Sequence, residues 1–364
     1  MKIGILGGGQ LARMIALAGY PLGLQFVVLD PDIHAGAGGL SEHLLGAYDD
    51  PALLAQLAEK ADIVTYEFEN VPAHVAEYLS SHTTVYPPAG ALAVAQDRLL
   101  EKNFFQELGM RTAPFAAVDC LEDLARAMAD IGYPAILKSR RMGYDGKGQI
   151  FIQSAEQLET AWLAMQDAPS IVEGFVGFER EVSIIAARRP SGDIAFYPLS
   201  ENQHRGGILR IAECRSGDPL QKLAEDYATR LLEKLDYVGV VALELFAVGN
   251  ELLANEFAPR VHNSGHWTIE GAETSQFENH LRAILDLPLG STRTRGHAGM
   301  VNFIGGVAGD AQVLGIANAH LHLYDKTPRK GRKVAHATVR ADSAEHYQEA
   351  LQQLANLALS TDDS

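Results

Sequence analysis

Cysteine is nearly absent: Cys120 and Cys214 are the only two in 364 residues. Two isolated thiols with no short spacing exclude a disulfide framework and a cysteine-based zinc site, and both read as ordinary half-buried side chains. Positive charge is scarce as well. The chain carries 30 Lys and Arg against 46 Asp and Glu, a formal net charge of -16. Nucleic-acid binding needs concentrated cations to displace counterions, so no polyanion partner is expected, and the acidity speaks chiefly to solubility. Missing too is any apolar run near the roughly 20 residues that cross a bilayer. The apolar stretch in the opening "MKIGILGGG" is too short for a signal peptide, and Gly7, Gly8 and Gly9 read as a turn. The chain is expected in the cytoplasm, with no membrane partner. No internal repeat or low-complexity tract interrupts it.

The remaining composition, 47% apolar and 21% charged, suits a globular protein of two or three domains. Residues 1 to about 95 alternate β-rich runs ("KIGIL", "QFVVLD", "DIVTYE", "TTVYP") with helical ones ("LARMIALAG", "PALLAQLAEK", "PAHVAEYLSS"), with Pro51 and Pro72 at expected first helical positions. That alternation implies a parallel, doubly wound sheet. A helix "DRLLEKNFFQELG" follows, then "TAPFAAV", a helix "LEDLARAMADIG", the strand "YPAILKS" and the glycine-rich loop "RMGYDGKGQ". Residues 180–215 read as antiparallel strands. A long helix precedes two strands, "VGVVALELFA" and "ELLANEFAPR", joined at Gly249-Asn250. The expected division is 1–97, 98–289 with a mobile lid at about 110–175, and 290–364.

The first glycine turn has two readings. Gly7, Gly9 and Ala12 match the spacing of a dinucleotide fingerprint, and Asp30 ends the second strand where a ribose-binding acid would sit. Alternatively the glycines only let the first helix pack on the sheet. Either way the amides near Gly9, Gln10 and Leu11 are a candidate anion site.

A second constellation asks for ATP. Lys138 lies on a strand just before a loop holding Gly143, Gly146 and Gly148. A fixed cation beside amides that close over phosphates suits phosphoryl transfer. The order is not that of a P-loop, since the lysine precedes the glycines. Alone, such a loop would be a surface hairpin. It is followed by Glu173 and Glu181 in "SIVEGFVGFERE", where a strand edge with free backbone groups at Glu173–Val176 can read an adenine and Glu181 can hold ribose hydroxyls; the alternative for either glutamate is a solvated surface acid. Glu244 and Glu256 then sit among Val, Leu and Phe, where an unpaired charge is expensive. Paired carboxylates holding Mg²⁺ between phosphates explain them; pairing with an arginine such as Arg260 is the alternative. For one site both must share a face of the sheet. A plain two-residue turn at Gly249-Asn250 pairs 244 with 255, so the metal reading requires a bulge, placed at Gly249 or Asn250, and carboxylates roughly 3–6 Å apart.

Order and wording over nearly the whole chain resemble the ATP-grasp superfamily, and within it the 5-(carboxyamino)imidazole ribonucleotide synthases of purine biosynthesis. "GILGGGQLARM", "EFENVP", "QDRLLEKNFF", "GYDGKGQ", "NEFAPRVHNSGHWTIE" and "YDKTPRKGRKVAHAT" carry the likeness. "NSGHW" and the basic tail are its most specific parts. Val261 stands where the family leads one to expect proline. The resemblance implies an α/β and α+β chain: an ATP-grasp fold with an N-terminal Rossmann-like domain and a small C-terminal domain.

It also implies roles. Arg98, Lys138 and the loop Gly143, Tyr144, Asp145, Gly146, Lys147, Gly148 and Gln149 contact ATP phosphates. Glu173, Gly174, Phe175 and Val176 line the adenine, Glu181 the ribose, and His204 lies nearby. Glu244 and Glu256 bind Mg²⁺, with Asn255 beside them. Gly9, Gln10, Leu11 and Glu69 belong to a ribonucleotide site whose 5′-phosphate is held by Lys326, Arg332 and Lys333. Tyr144, Asp145, Lys147, Arg260 and His262 surround the carboxyl transfer. The implied reaction is ATP- and bicarbonate-dependent carboxylation of aminoimidazole ribonucleotide through carboxyphosphate, by a homodimer. Three alternatives stand against it: a formate-activating ATP-grasp ligase, which gives no reason for "VHNSGHW"; an NAD-binding oxidoreductase or sensor, resting on Gly7, Gly9 and Asp30 alone; and a catalytically dead ATP-binding module, which filled phosphate and metal positions argue against.

Overall fold

The computed structural model describes residues 1–143, 148–166 and 168–361. The first strand, Lys2–Leu6, is buried along nearly its whole length, as a central parallel strand must be. Ile3 and Ile5 face one core, and Leu6 faces another. Five parallel strands result, in the order Glu42–Leu45, Gln25–Asp30, Lys2–Leu6, Ile63–Tyr66 and Thr84–Val85. The edge strand Glu42–Leu45 has no counterpart in the sequence reading. Pro51 takes the first turn of its helix, capped by Asp50, whereas Pro72 is the N-cap residue of Ala73–Ser80.

The chain from Arg180 onward builds a nine-stranded sheet. Its strand order runs from Glu251–Ala258 through Gly239–Val248, Arg180–Arg188, Leu199–Arg205 and Ile208–Arg215 to His297–Ile304, Lys333–Ala341 and Ala319–Leu323, with the ninth strand, Ile194–Phe196, pairing off this path with Arg180–Arg188. The C-terminal strands thus continue the same sheet, because His297–Ile304 pairs antiparallel with Ile208–Arg215. The helix Ala344–Leu359 covers that end with Tyr347, Leu351 and Leu354. The helix Gln221–Lys234 covers the other end with Leu231 and Leu232.

Residues 115–174 make a separate four-stranded antiparallel sheet, ordered Phe115–Val118, Ser170–Gly174, Ala135–Ser139, Gln149–Ile152. It has its own core around Leu124, Met128, Leu137 and Trp162. Ser170–Gly174 is therefore an interior strand, and the amides of Gly174 and Phe175 donate to Pro114 and Pro134 carbonyls at 2.8 and 3.1 Å. The expectation of a free strand edge at Glu173–Val176 is corrected: only Val176 lies beyond these pairs.

The acidic hairpin has the required bulge, but not at the turn. Gly249, at φ +58°, takes the left-handed conformation that a two-residue turn needs, and Val248 pairs with Glu251 in regular register. Pairing stays regular to Leu245 with Ala254, and then Glu244 meets Glu256, leaving Asn255 as the extra residue. Directly opposed residues share a face. The helix Arg98–Glu107 stabilises the irregular edge: Lys102 Nζ donates to the Asn255 carbonyl at 2.7 Å, and Glu101 accepts the Phe257 amide at 2.7 Å.

Candidate active site

The glycine turn is filled by the protein itself. Glu67 accepts from the Gly9 amide through one oxygen and from the Ala12 amide at 2.9 Å through the other. Its carboxylate thus occupies the helix N-terminus where a pyrophosphate would lie. A Cβ at Gly7 would fall 2.5 Å from Glu67 Cγ, and one at Gly9 2.6 Å from its Oε1. The glycines make room for this side chain. Burial raises the Glu67 pKa, and the two amides and Lys326 oppose the rise. Asp30 is committed likewise: it accepts from the Gly8 amide at 2.7 Å, the Asp32 amide at 2.8 Å and the Tyr48 hydroxyl at 2.8 Å. The candidate anion site at Gly9 is corrected accordingly, since its amide is taken.

Beside this turn, two contacts span long sequence distances. Lys326 Nζ donates to Gln10 Oε1, bringing the basic tail onto the first helix. Arg260 Nε donates to Glu69 Oε2 at 2.5 Å. Arg332 lies on the same tail, with Nη1 donating to the Thr327 carbonyl at 3.3 Å. Val261 is fully buried in the central core, so the residue between Arg260 and His262 packs as a hydrophobe.

Across the cleft stand the cations of the glycine-rich loop. Arg98 donates to the Ser139 carbonyl at 2.8 Å and the Gly143 carbonyl at 3.1 Å. The Ser139 amide donates to the Gly148 carbonyl at 2.8 Å, and Gly148 is left-handed at φ +68°. Tyr144, Asp145, Gly146 and Lys147 lie outside the described residues. Lys138 Nζ is 3.1 Å from Glu173 Oε1, an ion contact without hydrogen-bond alignment, and Lys102 Nζ is 3.2 Å from Oε2. Burial would raise the Glu173 pKa, but the two lysines outweigh it and hold it at about 2. The Glu173 side chain is therefore an internal ion-pair partner of Lys138 and Lys102.

Glu244 and Glu256 face this group. His262 Nε2 is 3.0 Å from Glu244 Oε1, and His262 Nδ1 is 2.9 Å from Ser264 Oγ. Ser183 donates to Ser264 at 2.6 Å, and Asn202 donates to Ser183 at 3.1 Å, so a buried polar chain fixes the imidazole. Burial opposes ionisation of Glu244, but His262 outweighs it and holds the carboxyl well below its ordinary value. Among the described residues no hydrogen bond or ion pair engages Glu256, which is exposed to the cleft. The protein packed around it, and next the Glu244 charge, raise its pKa, while Arg98 and Lys138 act the other way. Two carboxylates, one unpartnered, are hard oxygen donors suited to Mg²⁺ shared with phosphates. Among the described residues no set of three or more His, Cys, Asp or Glu could hold a metal, so a cation at this pair would need further ligands such as phosphate or water.

Glu181 Oε2 contacts His204 Nδ1 on the neighbouring strand. Burial alone would lower the His204 pKa; the Glu181 carboxylate raises it. Cys120 is the N-cap residue of the helix Leu121–Ile131, and burial pushes the Cys214 thiol up to about 12. Both cysteines are free thiols of intermediate burial.

Sequence reasoning missed Glu67, Asp97, Glu101 and Lys102. Asp97 caps its helix through the Leu99 and Leu100 amides and also receives Arg140 at 2.9 and 3.1 Å and Arg141 at 3.2 Å. It clamps the base of the glycine-rich loop. A signal existed in "QDRLLEK", where Glu101 and Lys102 interrupt the apolar side of a helix.

Known proteins resemble this chain along nearly its whole length. The chain matches the family model of an ATP-grasp domain over residues 103–277, a ribonucleotide synthetase preATP-grasp domain over 1–96, and a phosphoribosylaminoimidazole carboxylase C-terminal domain over 298–350. It is 54% identical over 345 residues to the N5-carboxyaminoimidazole ribonucleotide synthase of Pseudomonas aeruginosa, covering 94% of this chain and 96% of that protein. The crystal structure of N5-carboxyaminoimidazole ribonucleotide synthetase from Thermus thermophilus aligns with TM-score 0.94 and 55% identity over 98% of both chains. An N5-carboxyaminoimidazole synthase from Aspergillus clavatus, solved with ADP and 5-aminoimidazole ribonucleotide, aligns with TM-score 0.91 and 32% identity over 99% of this chain and 98% of that one.

Proposed function

The chain belongs to the N5-carboxyaminoimidazole ribonucleotide synthase family, and from that premise we propose that its cleft carboxylates the exocyclic amine of 5-aminoimidazole ribonucleotide at the expense of ATP. In the overall reaction a bicarbonate oxygen attacks the γ-phosphorus and ADP leaves. The amine then attacks the carbon of carboxyphosphate, or of CO₂ released from it; phosphate departs and the nitrogen loses a proton.

The residues divide as follows. Arg98, Lys138 and the loop from Gly143 to Gln149 hold the triphosphate, with Phe175 and Val176 beside the adenine and Glu181 and His204 at the ribose. Glu244 and Glu256, with Asn255 adjacent, would hold Mg²⁺ against the phosphates. A cation held there would neutralise charge that moves on phosphoryl transfer. Gln10, Leu11 and Glu69 receive the ribonucleotide, and Lys326, Arg332 and Lys333 its 5′-phosphate. Arg260 and His262, with Tyr144, Asp145 and Lys147, surround the transferred carboxyl. The segment 110–175 acts as a lid that keeps water from the intermediate. Domain limits at 97/98 and 289/290, a homodimer and a cytoplasmic location complete the proposal.

One observation carries it: among the described residues Glu256 has no hydrogen-bond or ion-pair partner, and it stands beside Glu244 and within the field of Lys138 and Arg98, an arrangement suited to a polyanion and a cation. Thermal-shift measurements with ATP–Mg²⁺, NAD and aminoimidazole ribonucleotide test it. The first and third should raise Tm and NAD should not. Stabilisation by NAD alone would overturn the reading.

A further inference from the structure

We propose that Lys102 is a positioning residue that ties the lid sheet to the acidic hairpin, fixing the phosphate-binding lysine and the metal-binding carboxylate relative to one another. The inference rests on the ATP reading above. Lys102 is 1% exposed, and its ammonium meets three acceptors on two strands at once. It is 3.2 Å from Glu173 on the lid strand Ser170–Gly174, 2.7 Å from the carbonyl of the bulged Asn255, and 3.4 Å from that of Ala254. An ammonium has three donors, and these acceptors account for them. Glu173 in turn holds Lys138 at 3.1 Å, while Asn255 immediately precedes Glu256.

Packing alone does not call for this charge. Burial lowers the Lys102 pKa, with Glu173 opposing, and a methionine would fill the same volume without the desolvation cost. What the ammonium adds is direction. The bulge exposes the Asn255 carbonyl, which the regular ladder would have paired, and Lys102 is its partner. Glu101 secures the other side of the bulge at Phe257. One turn earlier Arg98 faces the glycine-rich loop. A single helix thus references the loop, the lid strand and the bulge to one another.

The test is calorimetric binding of ADP with and without Mg²⁺, alongside steady-state kinetics, on Lys102→Met. Supporting partners of a metal site typically contribute about 10–100-fold. MgADP affinity should fall at least about tenfold, Mg²⁺ should no longer tighten ADP binding, and the ribonucleotide KM should stay within about twofold. Lys102→Met with MgADP affinity and Mg²⁺ enhancement like the wild type would overturn the inference. Should that variant not fold, Lys102→Met/Glu173→Met removes both charges, with Glu173→Met alone as its baseline. A further loss of about tenfold in the double variant supports the role of Lys102, and equal affinities contradict it. Wild-type protein that binds neither ADP nor MgADP would instead contradict the ATP reading itself.

Discussion

Glu244 and Glu256 stand directly opposite each other on adjacent strands because Asn255 is bulged out between them. Without that extra residue Glu256 would face the other side of the sheet. Glu244 has His262 for a partner, and Glu256 has none among the described residues. Glu256→Gln keeps the shape and removes the charge. It should reduce ADP release on the order of 100-fold, as expected for losing several kcal/mol of metal-assisted charge stabilisation. It should leave Tm unchanged or raised, since the carboxylate is crowded by Glu244. Activity within about threefold of wild type would remove Glu256 from the metal site.

The helix N-terminus at Gly9 is closed to dinucleotides by Glu67. NADH fluorescence should therefore show no saturable binding. Gly9→Ala places a Cβ 2.6 Å from Glu67 Oε1 and must push the carboxylate off the turn. A loss of about 1–3 kcal/mol in urea unfolding is expected, with a raised ribonucleotide KM because Gln10 follows directly. An unchanged Tm and KM would show that the Glu67 cap has no influence on the site.

The basic tail meets the first helix through Lys326 and Gln10. A charged contact to phosphate is worth about 1.5–3 kcal/mol, so Lys326→Met should raise the ribonucleotide KM on the order of tenfold or more. Arg332→Glu, which reverses a charge, should do so more strongly. Neither should change the ATP KM by more than about twofold. Parallel losses for both substrates would indicate general damage to the fold.

Glu173 is held at about 2 by Lys138 and Lys102 against the effect of burial. A depressed carboxyl stabilises the fold above its ordinary value of 4.5 and loses that contribution as pH falls toward about 2. Urea unfolding free energies should thus fall on acidification below pH 4.5. Glu173→Gln should be less stable at neutral pH and fall less steeply in the acid range. Equal slopes for both proteins would show that the ion pairs are not formed.

Much of this was legible in the sequence, because strand and helix periods, glycine-loop position and motif wording are local. The alternation in residues 1–95 became a parallel sheet. The paired glutamates required a bulge, and one exists. Its place was not legible: Gly249 satisfies a regular turn, and the extra residue is absorbed where Lys102, 153 positions away from Asn255, supplies a donor. Glycine spacing at Gly7 and Gly9 is the same whether the guest is a pyrophosphate or the carboxylate of Glu67, which is 58 residues from Gly9. Glu173 looked like a free edge acid because strand order cannot be read from one strand. The C-terminal segment matches a domain model of its own over 298–350, but that its strands continue the large sheet through His297–Ile304 could not be read from the sequence for the same reason.

ADP release measured with ATP and Mg²⁺ while bicarbonate and 5-aminoimidazole ribonucleotide are each withheld in turn tests the central claim most directly. The account predicts full turnover only with both present, incorporation of labelled bicarbonate into the ribonucleotide, and one ADP per carboxylated product. Turnover supported by formate in place of bicarbonate, or ADP release unaffected by omitting the ribonucleotide, would contradict it.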